Sequence, residues 1–234
     1  GGVAYSRLAT PPLSGFPDIS CYRTSEESKR DMAINRATFS ITDGHLDQLV
    51  LEKADLPPEF SGHQMVREGP LDNRTMAEQG FPGNTEDRFR EAGRITGFLR
   101  EFGPTTNMQT GDGFNFLGAT VAHLFDDADK VSGWMNEVFI KDFERNVGER
   151  VGEDHQLVSV QRLDVSGFYD EAVALKVLQG GPTGLVSSTV IDFRLGRLLG
   201  VAFVATIGDH ERLDLATELG IAMEKRMVGV VLGG

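Results

Sequence analysis

One cysteine in 234 residues excludes an internal disulfide and a thiolate metal cluster. That residue, Cys21, sits in a Pro- and Ser-rich stretch and reads as an incidental, half-buried thiol rather than a nucleophile. Export stays open, because a chain of this length can be secreted without disulfides. Positive charge is also scarce: 23 Lys and Arg face 35 Asp and Glu, for a net charge of −12. Counterion release rewards clustered cations, so general nucleic-acid binding is excluded, as is attachment to an anionic membrane through a basic patch. Acidity of this order reads as solubility and self-repulsion. Long apolar runs are missing as well. The longest, around Leu198–Ile207 and 227–232, are broken by glycine and fall well short of the ~20 residues that span a bilayer. No charged-then-apolar signal segment opens the chain. It begins Gly1-Gly2-Val3-Ala4-Tyr5 rather than with methionine, which leaves room for a removed signal or lipid-anchor segment.

Reaction motifs are equally absent. His45, His63, His123, His155 and His210 form no HxxxH or HExxH pair, so zinc has no local support. His123, between Ala122 and Leu124, reads as a satisfied sheet histidine. Asp126-Asp127-Ala128-Asp129 resembles the start of a calcium loop but lacks its glycine and bidentate glutamate, and helix capping explains it better. Gly180-Gly181-Pro182-Thr183-Gly184 runs on into strand, so it is a hairpin turn and not a phosphate loop. Asn73-Arg74-Thr75 is a formal glycosylation sequon. No cofactor and no catalytic residue is expected.

What is present is a repeated pentapeptide, Gly93-Arg94-Ile95-Thr96-Gly97 and Gly196-Arg197-Leu198-Leu199-Gly200. Each copy opens a strand-like run that is later followed by an amphipathic helix. Leu49-Val50-Leu51, Gln64–Glu68, the stretch after Gly97, and 114–125 read as strands of a first half. There Thr75 starts one brief helix and Asn84 caps another. Val131, Trp134, Met135, Val138 and Phe139 fall at i, i+3, i+4, i+7 and i+8, the stripe of a helix that Phe143 and Val147 extend. Strand-like runs near 157–165, 172–178, 185–193 and 201–207 alternate with turns about ten residues apart, as antiparallel neighbours do. A last helix carries Leu215, Leu219, Ala222, Met223 and Met227 on one face and ends at Gly229. The fold class is therefore α+β: two related antiparallel-sheet halves, each covered by one helix. The expected division is an irregular arm over 1–45, a first half over 46–150 and a second over 151–234.

Arg94 and Arg197 are the candidate ligand-binding residues, placed to grip an anion between the halves. Alternatively, the glycines make tight turns while each arginine pairs within the protein. The arm buries too little apolar surface to order itself. It either wraps its own domain or docks on another chain, and Tyr5, Leu8, Phe16 and Tyr22 are its candidate partner-docking residues. Trp134 and the phenylalanines read as core.

Leu49-Val50-Leu51, Asp55-Leu56-Pro57-Pro58-Glu59-Phe60, Ala92-Gly93-Arg94-Ile95-Thr96-Gly97-Phe98 and Asp170-Glu171-Ala172-Val173-Ala174-Leu175 resemble segments of uncharacterised bacterial secreted proteins and lipoproteins. Those domains are similar to the extracellular sensor domains of bacterial receptor kinases and to the PsbP/Mog1-like α+β sandwich. The resemblance covers roughly 46–232, although the disulfide cysteines of the sensor domains are missing. It implies an export setting and a binding or sensing role, with no catalytic residue to carry over.

Two non-enzymatic functions follow as expectations. The first is an extracytoplasmic module, secreted or lipid-anchored, that binds a small ligand or a protein. The second is an accessory subunit of a larger assembly, docked through the arm. A hydrolase or transferase is the third reading. It would need Glu68, Asp72 or Asp112 to converge with a histidine in a pocket.

Overall fold

The computed structural model describes residues 32–105, 116–151, 155–182 and 184–233. Its backbone is one antiparallel sheet built from β1 (His63–Pro70), β2 (Arg94–Pro104), β3 (Phe116–Phe125), β4 (Arg150–Val151), β5 (His155–Leu163), β6 (Ala172–Gly181), β7 (Gly184–Leu195) and β8 (Leu198–Ile207). Strand order is β1-β2-β3-β8-β7-β6-β5-β4. The chain lays down β1 to β3 as a meander and crosses a sheet face to the far edge. It then returns through β4 to β8, so that β8 pairs with β3. The strands of 46–150 and of 151–234 thus belong to a single continuous α+β sheet.

Composition explains the order. Central β3 is apolar and buried along almost its whole length, whereas edge strand β1 exposes nearly every residue. A strand that is apolar on both faces demands cover on both. On one face lies α5 (Leu213–Val231) with the segment around Ile41, Leu46 and Leu49–Leu51. On the other lie α1 (Asn73–Gln79), α2 (Glu86–Glu91) and a rod made of α3 (Ala128–Gly133), a π-helical turn (Trp134–Phe139) and α4 (Ile140–Arg145). Each sheet half is followed by its helix, as the periodicity predicts. The first helix, however, reaches across to the second half's strands, where Ile140 and Phe143 meet Leu157 and Leu175.

Several local readings are corrected. Leu49-Val50-Leu51 is no strand: Leu46–Leu49 is a helical turn, and Val50 and Leu51 run on beneath the sheet with no exposure. Backbone N–H of Leu51 donates to Thr120 Oγ1 instead of to a ladder. Asp72, not Thr75, caps α1 by accepting from Thr75 N at 2.7 Å. Thr85, not Asn84, caps α2 through Arg88 N. Gly229 lies inside α5, which continues to Val231 until Gly233, at φ 76°, closes it. The capping role read for the aspartates holds, with Asp127 accepting from Asp129 N at 2.8 Å.

The repeated pentapeptides have a shared physical cause. In each, the first glycine takes a positive φ (88° at Gly93, 57° at Gly196), which makes the turn. The last glycine leaves room for a neighbour. A Cβ on Gly97 would stand 2.6 Å from His123 Nδ1 and 2.7 Å from Arg94 Nη2. On Gly200 it would stand 2.2 Å from the Phe193 ring. That ring lies on its cross-strand partner Gly200 and stacks on Phe168, which in turn presses against Gly220 of α5. A column of two rings between two glycines so fixes the helix on the sheet.

Residues 32–45 of the expected arm wrap their own domain. Thr38 and Ile41 are buried, and the carbonyls of both accept from the Arg197 guanidinium. Tyr5, Leu8, Phe16 and Tyr22 lie outside the described residues, as does Cys21.

Candidate functional site

A cavity of about 290 Å³ opens between the sheet and the rod. Phe81, Phe89, Trp134, Phe139 and Phe143 supply much of its wall, and Leu71, Met76 and Val201 add to it. The π-helical turn forms the roof through Trp134, Val138 and Phe139. A π turn inserts one residue into the helical count, which moves later side chains round the rod; such turns recur at functional sites. Here Val138 and Phe139 remain half-buried at the cavity while Ile140 takes the core position.

Two polar side chains break the apolar lining from the sheet side. His123 on β3 and Asp192 on β7 are 5% and 1% exposed. Both face the rod, because their partners on β8 are Leu199 and Val201, two residues apart on that same face. Strand spacing of ~4.8 Å and a rise of ~3.4 Å per residue put their Cα atoms about 12 Å apart. They flank the floor without forming a dyad.

His123 is held from behind by Arg94. The guanidinium's Nε and Nη2 lie 3.1 and 2.9 Å from His123 Nδ1. A guanidinium has no acceptor, so Nδ1 accepts and the ring proton sits on Nε2. Burial, and then the charge of Arg94, hold the imidazole pKa well below its usual range, so the ring stays neutral. Arg94 itself is 1% exposed. It donates to Leu71 O at 2.6 Å and to Asn73 Oδ1, while Asn73 Nδ2 donates back to Arg94 O at 2.9 Å. Burial lowers the guanidinium pKa to about 9, with the charge of Asp72 opposing that shift, and Arg94 is cationic at neutral pH. Gly97 is the gap through which this pair lies on the strand.

Asp192 is the opposite case. Its Oδ1 finds no hydrogen-bond partner among the described residues. Burial alone pushes its pKa well above the ordinary carboxylate range. The folded protein therefore keeps a proton here that the unfolded chain releases above about pH 4, and this part of stability falls as pH rises between the two values. Asp192→Asn, which is neutral throughout, is expected to gain stability relative to the parent as pH goes from 4 to 7. Urea denaturation at both pH values measures the gain, and an equal effect at the two would contradict it.

Charged groups at the mouth are paired. Arg88 grips Asp142 with two bonds of 2.6 and 2.7 Å, and Asn84 also accepts from Arg88.

The two arginines singled out by sequence reach one end of the sheet from either side of Phe125: Arg94 pairs with it in register, and Arg197 donates to its carbonyl. Arg94 turns to the cavity face. Arg197 turns to the segment 38–41, donating to Thr38 O and Ile41 O, with its guanidinium over the Phe39 ring. Asn73 of the sequon is 6% exposed with both side-chain atoms engaged, so the folded chain does not offer it for glycosylation. Of the carboxylates named for catalysis, Glu68 pairs with Arg100, Asp72 caps α1, and Asp112 lies outside the described residues. No group of three His, Cys, Asp or Glu fit for a metal occurs among the described residues. Asp192 was not singled out by sequence. Its one signal is a carboxylate two residues after Val190, on the same side of a strand by alternation.

No family model matches the chain, and no curated protein matches it in sequence. Among solved structures it is similar to the extracellular domain of PknH from Mycobacterium tuberculosis, with a TM-score of 0.54 at 10% identity, over 83% of this chain and 98% of that one. An uncharacterized protein of Mycobacterium smegmatis, an Rv0999 ortholog, aligns with a TM-score of 0.42 at 12% identity, over 75% of this chain and 93% of that one. At the level of the fold, the chain resembles the extracellular domain of a receptor kinase.

Proposed function

We propose that this chain is a non-enzymatic, extracytoplasmic binding or sensing module that holds a small, mainly apolar ligand in the cavity beneath the π turn. One observation carries the reading. A buried carboxyl, one of whose oxygens finds no hydrogen-bond partner among the described residues, sits in a mainly apolar chamber, and a protein keeps such a group against a cost of roughly 1–3 kcal/mol. Concave, mostly apolar pockets with a few converging polar groups are the usual form of small-molecule sites. The extracellular setting is supported by the PknH-like fold, and no described helix is long and apolar enough to cross a membrane.

Two titratable groups shifted from their ordinary pKa also mark acid–base sites. Geometry favours binding instead: Nδ1 of His123 is taken by Arg94, and Asp192 lies two strands away.

A thermal-shift screen of small apolar compounds tests the proposal, run in parallel on Val138→Phe, which fills the chamber. Hits are expected to stabilise the parent and not the filled variant. Equal stabilisation of both, or no hit at all, would count against it.

A further inference from the structure

Resting on the cavity reading above, we propose that its ligand is a monocarboxylic acid with an apolar body, its carboxylate seated on the floor between His123 Nε2–H and Asp192, with Arg94 behind the imidazole.

The sign of the charge is the first argument. Arg94 is buried, and its contacts are neutral: a carbonyl, an amide oxygen and an imidazole nitrogen. Asp72, whose charge it feels, caps α1 at the surface and makes no ion pair with it among the described residues. The floor therefore carries one positive charge with no anion in contact. A carboxylate at His123 supplies that anion through a hydrogen-bond chain, guanidinium to Nδ1 and Nε2–H to oxygen, which the charge of Arg94 polarises. An ammonium head would add a second buried cation. A hydroxyl head would leave Arg94 as it is.

Asp192 supplies the second contact. The nearest cation along its own face of β7, Arg194, is committed to Asp170 at 2.9 Å and faces Glu171. Its neighbours on β6 and β8, Val173 and Val201, are apolar. Desolvation pushes its pKa up and so favours the protonated carboxyl, a form that donates to a carboxylate in a short, charge-assisted bond. The mouth offers little repulsion, since Asp142 is neutralised by Arg88. Aromatic and aliphatic walls take the body.

The molecule contains a built-in reporter. Trp134 is its only tryptophan and lines the cavity, so intrinsic fluorescence reads occupancy. Octanoate, octan-1-ol and octylamine, alike in chain length, are titrated at pH 7. Octanoate is expected to bind about tenfold or more tighter than octanol, the size of one hydrogen bond to a charged group, with octylamine weakest. His123→Phe is expected to lose octanoate by a similar factor and leave octanol unchanged. His123→Gln, which retains an acceptor for Arg94 and an N–H donor, is expected to keep most of the preference. It carries the test should the phenylalanine variant not fold. Asp192→Asn, still a donor, is expected to bind octanoate nearly as the parent does. Octanol binding as tightly as octanoate would overturn the acid head and leave the cavity reading standing. Octylamine binding tightest would assign Asp192 to an ammonium instead. Silence from all three would remove the head-group proposal, and the compound screen would then decide the cavity.

Discussion

Asn73→Ala is expected to cost about 3–4 kcal/mol of unfolding free energy, because it strips a buried cation of one acceptor and leaves a buried carbonyl without its donor. Asn73 Oδ1 accepts from Arg94 Nη1, and its Nδ2 donates to Arg94 O. A hydrogen bond to a charged group contributes roughly 1.5–3 kcal/mol, and an orphaned buried carbonyl costs about 1–3. Removing the arginine itself would be less informative. Leucine at 94 would orphan three acceptors but also relieve the desolvation of the guanidinium, and these effects oppose each other. Asn73→Ala acts in one direction only. Equilibrium urea denaturation followed at Trp134 measures it, and a loss below about 0.5 kcal/mol, the surface-substitution range, would mean that the clamp does not hold Arg94.

Gly200→Ala is expected to cost about 3 kcal/mol, at the upper end of overpacking penalties. The added methyl would stand 2.2 Å from the Phe193 ring. Phe193 has no exposure and is stacked on Phe168, so no flexible end can move aside. Gly133→Ala is the counterpart. It has helical φ and ψ of −58° and −43°, and nothing lies within 4 Å of its new methyl. There alanine is expected to gain about 0.5–1 kcal/mol by reducing the freedom of the unfolded chain. Thermal and urea unfolding of the two variants should move in opposite directions. Equal shifts would show that the ring column does not fix α5 on the sheet.

Much of the fold was legible because period is a local property. β6 to β8 and their turns stand where alternation and glycine put them, and Val131, Trp134 and Met135 of the predicted stripe are buried, while Val138 and Phe139 are half-buried past the π turn. Leu49-Val50-Leu51 misled because a short apolar run suits a strand or a covered turn equally. Only Thr120, 69 residues on, decides how Leu51 is satisfied. The continuous sheet was hidden for the same kind of reason. Pairing of β3 with β8 joins segments some eighty residues apart, and no local pattern encodes it.

The site was less legible than the fold. Arg94 was marked by its pentapeptide, but its role required knowing that Gly97, Asn73 and His123 surround it. His123 read as a satisfied sheet histidine, and its Nδ1 is satisfied; that the residue also lines a cavity is a tertiary fact. Asp192 could be found only by seeing which face of β7 it occupies. The π turn is silent in sequence, since Trp134 to Phe139 carries ordinary helical spacing.

The central claim is that a neutral imidazole, fixed by Arg94, presents its N–H to a ligand chamber. Nitrogen-15 NMR of histidine-labelled protein tests it most directly. The account predicts that the His123 ring is the Nε2–H tautomer, does not titrate between pH 5.5 and 8, and shifts when octanoate is added. A His123 ring that titrates near pH 6.5, or whose signals stay unmoved at saturating octanoate, would contradict it.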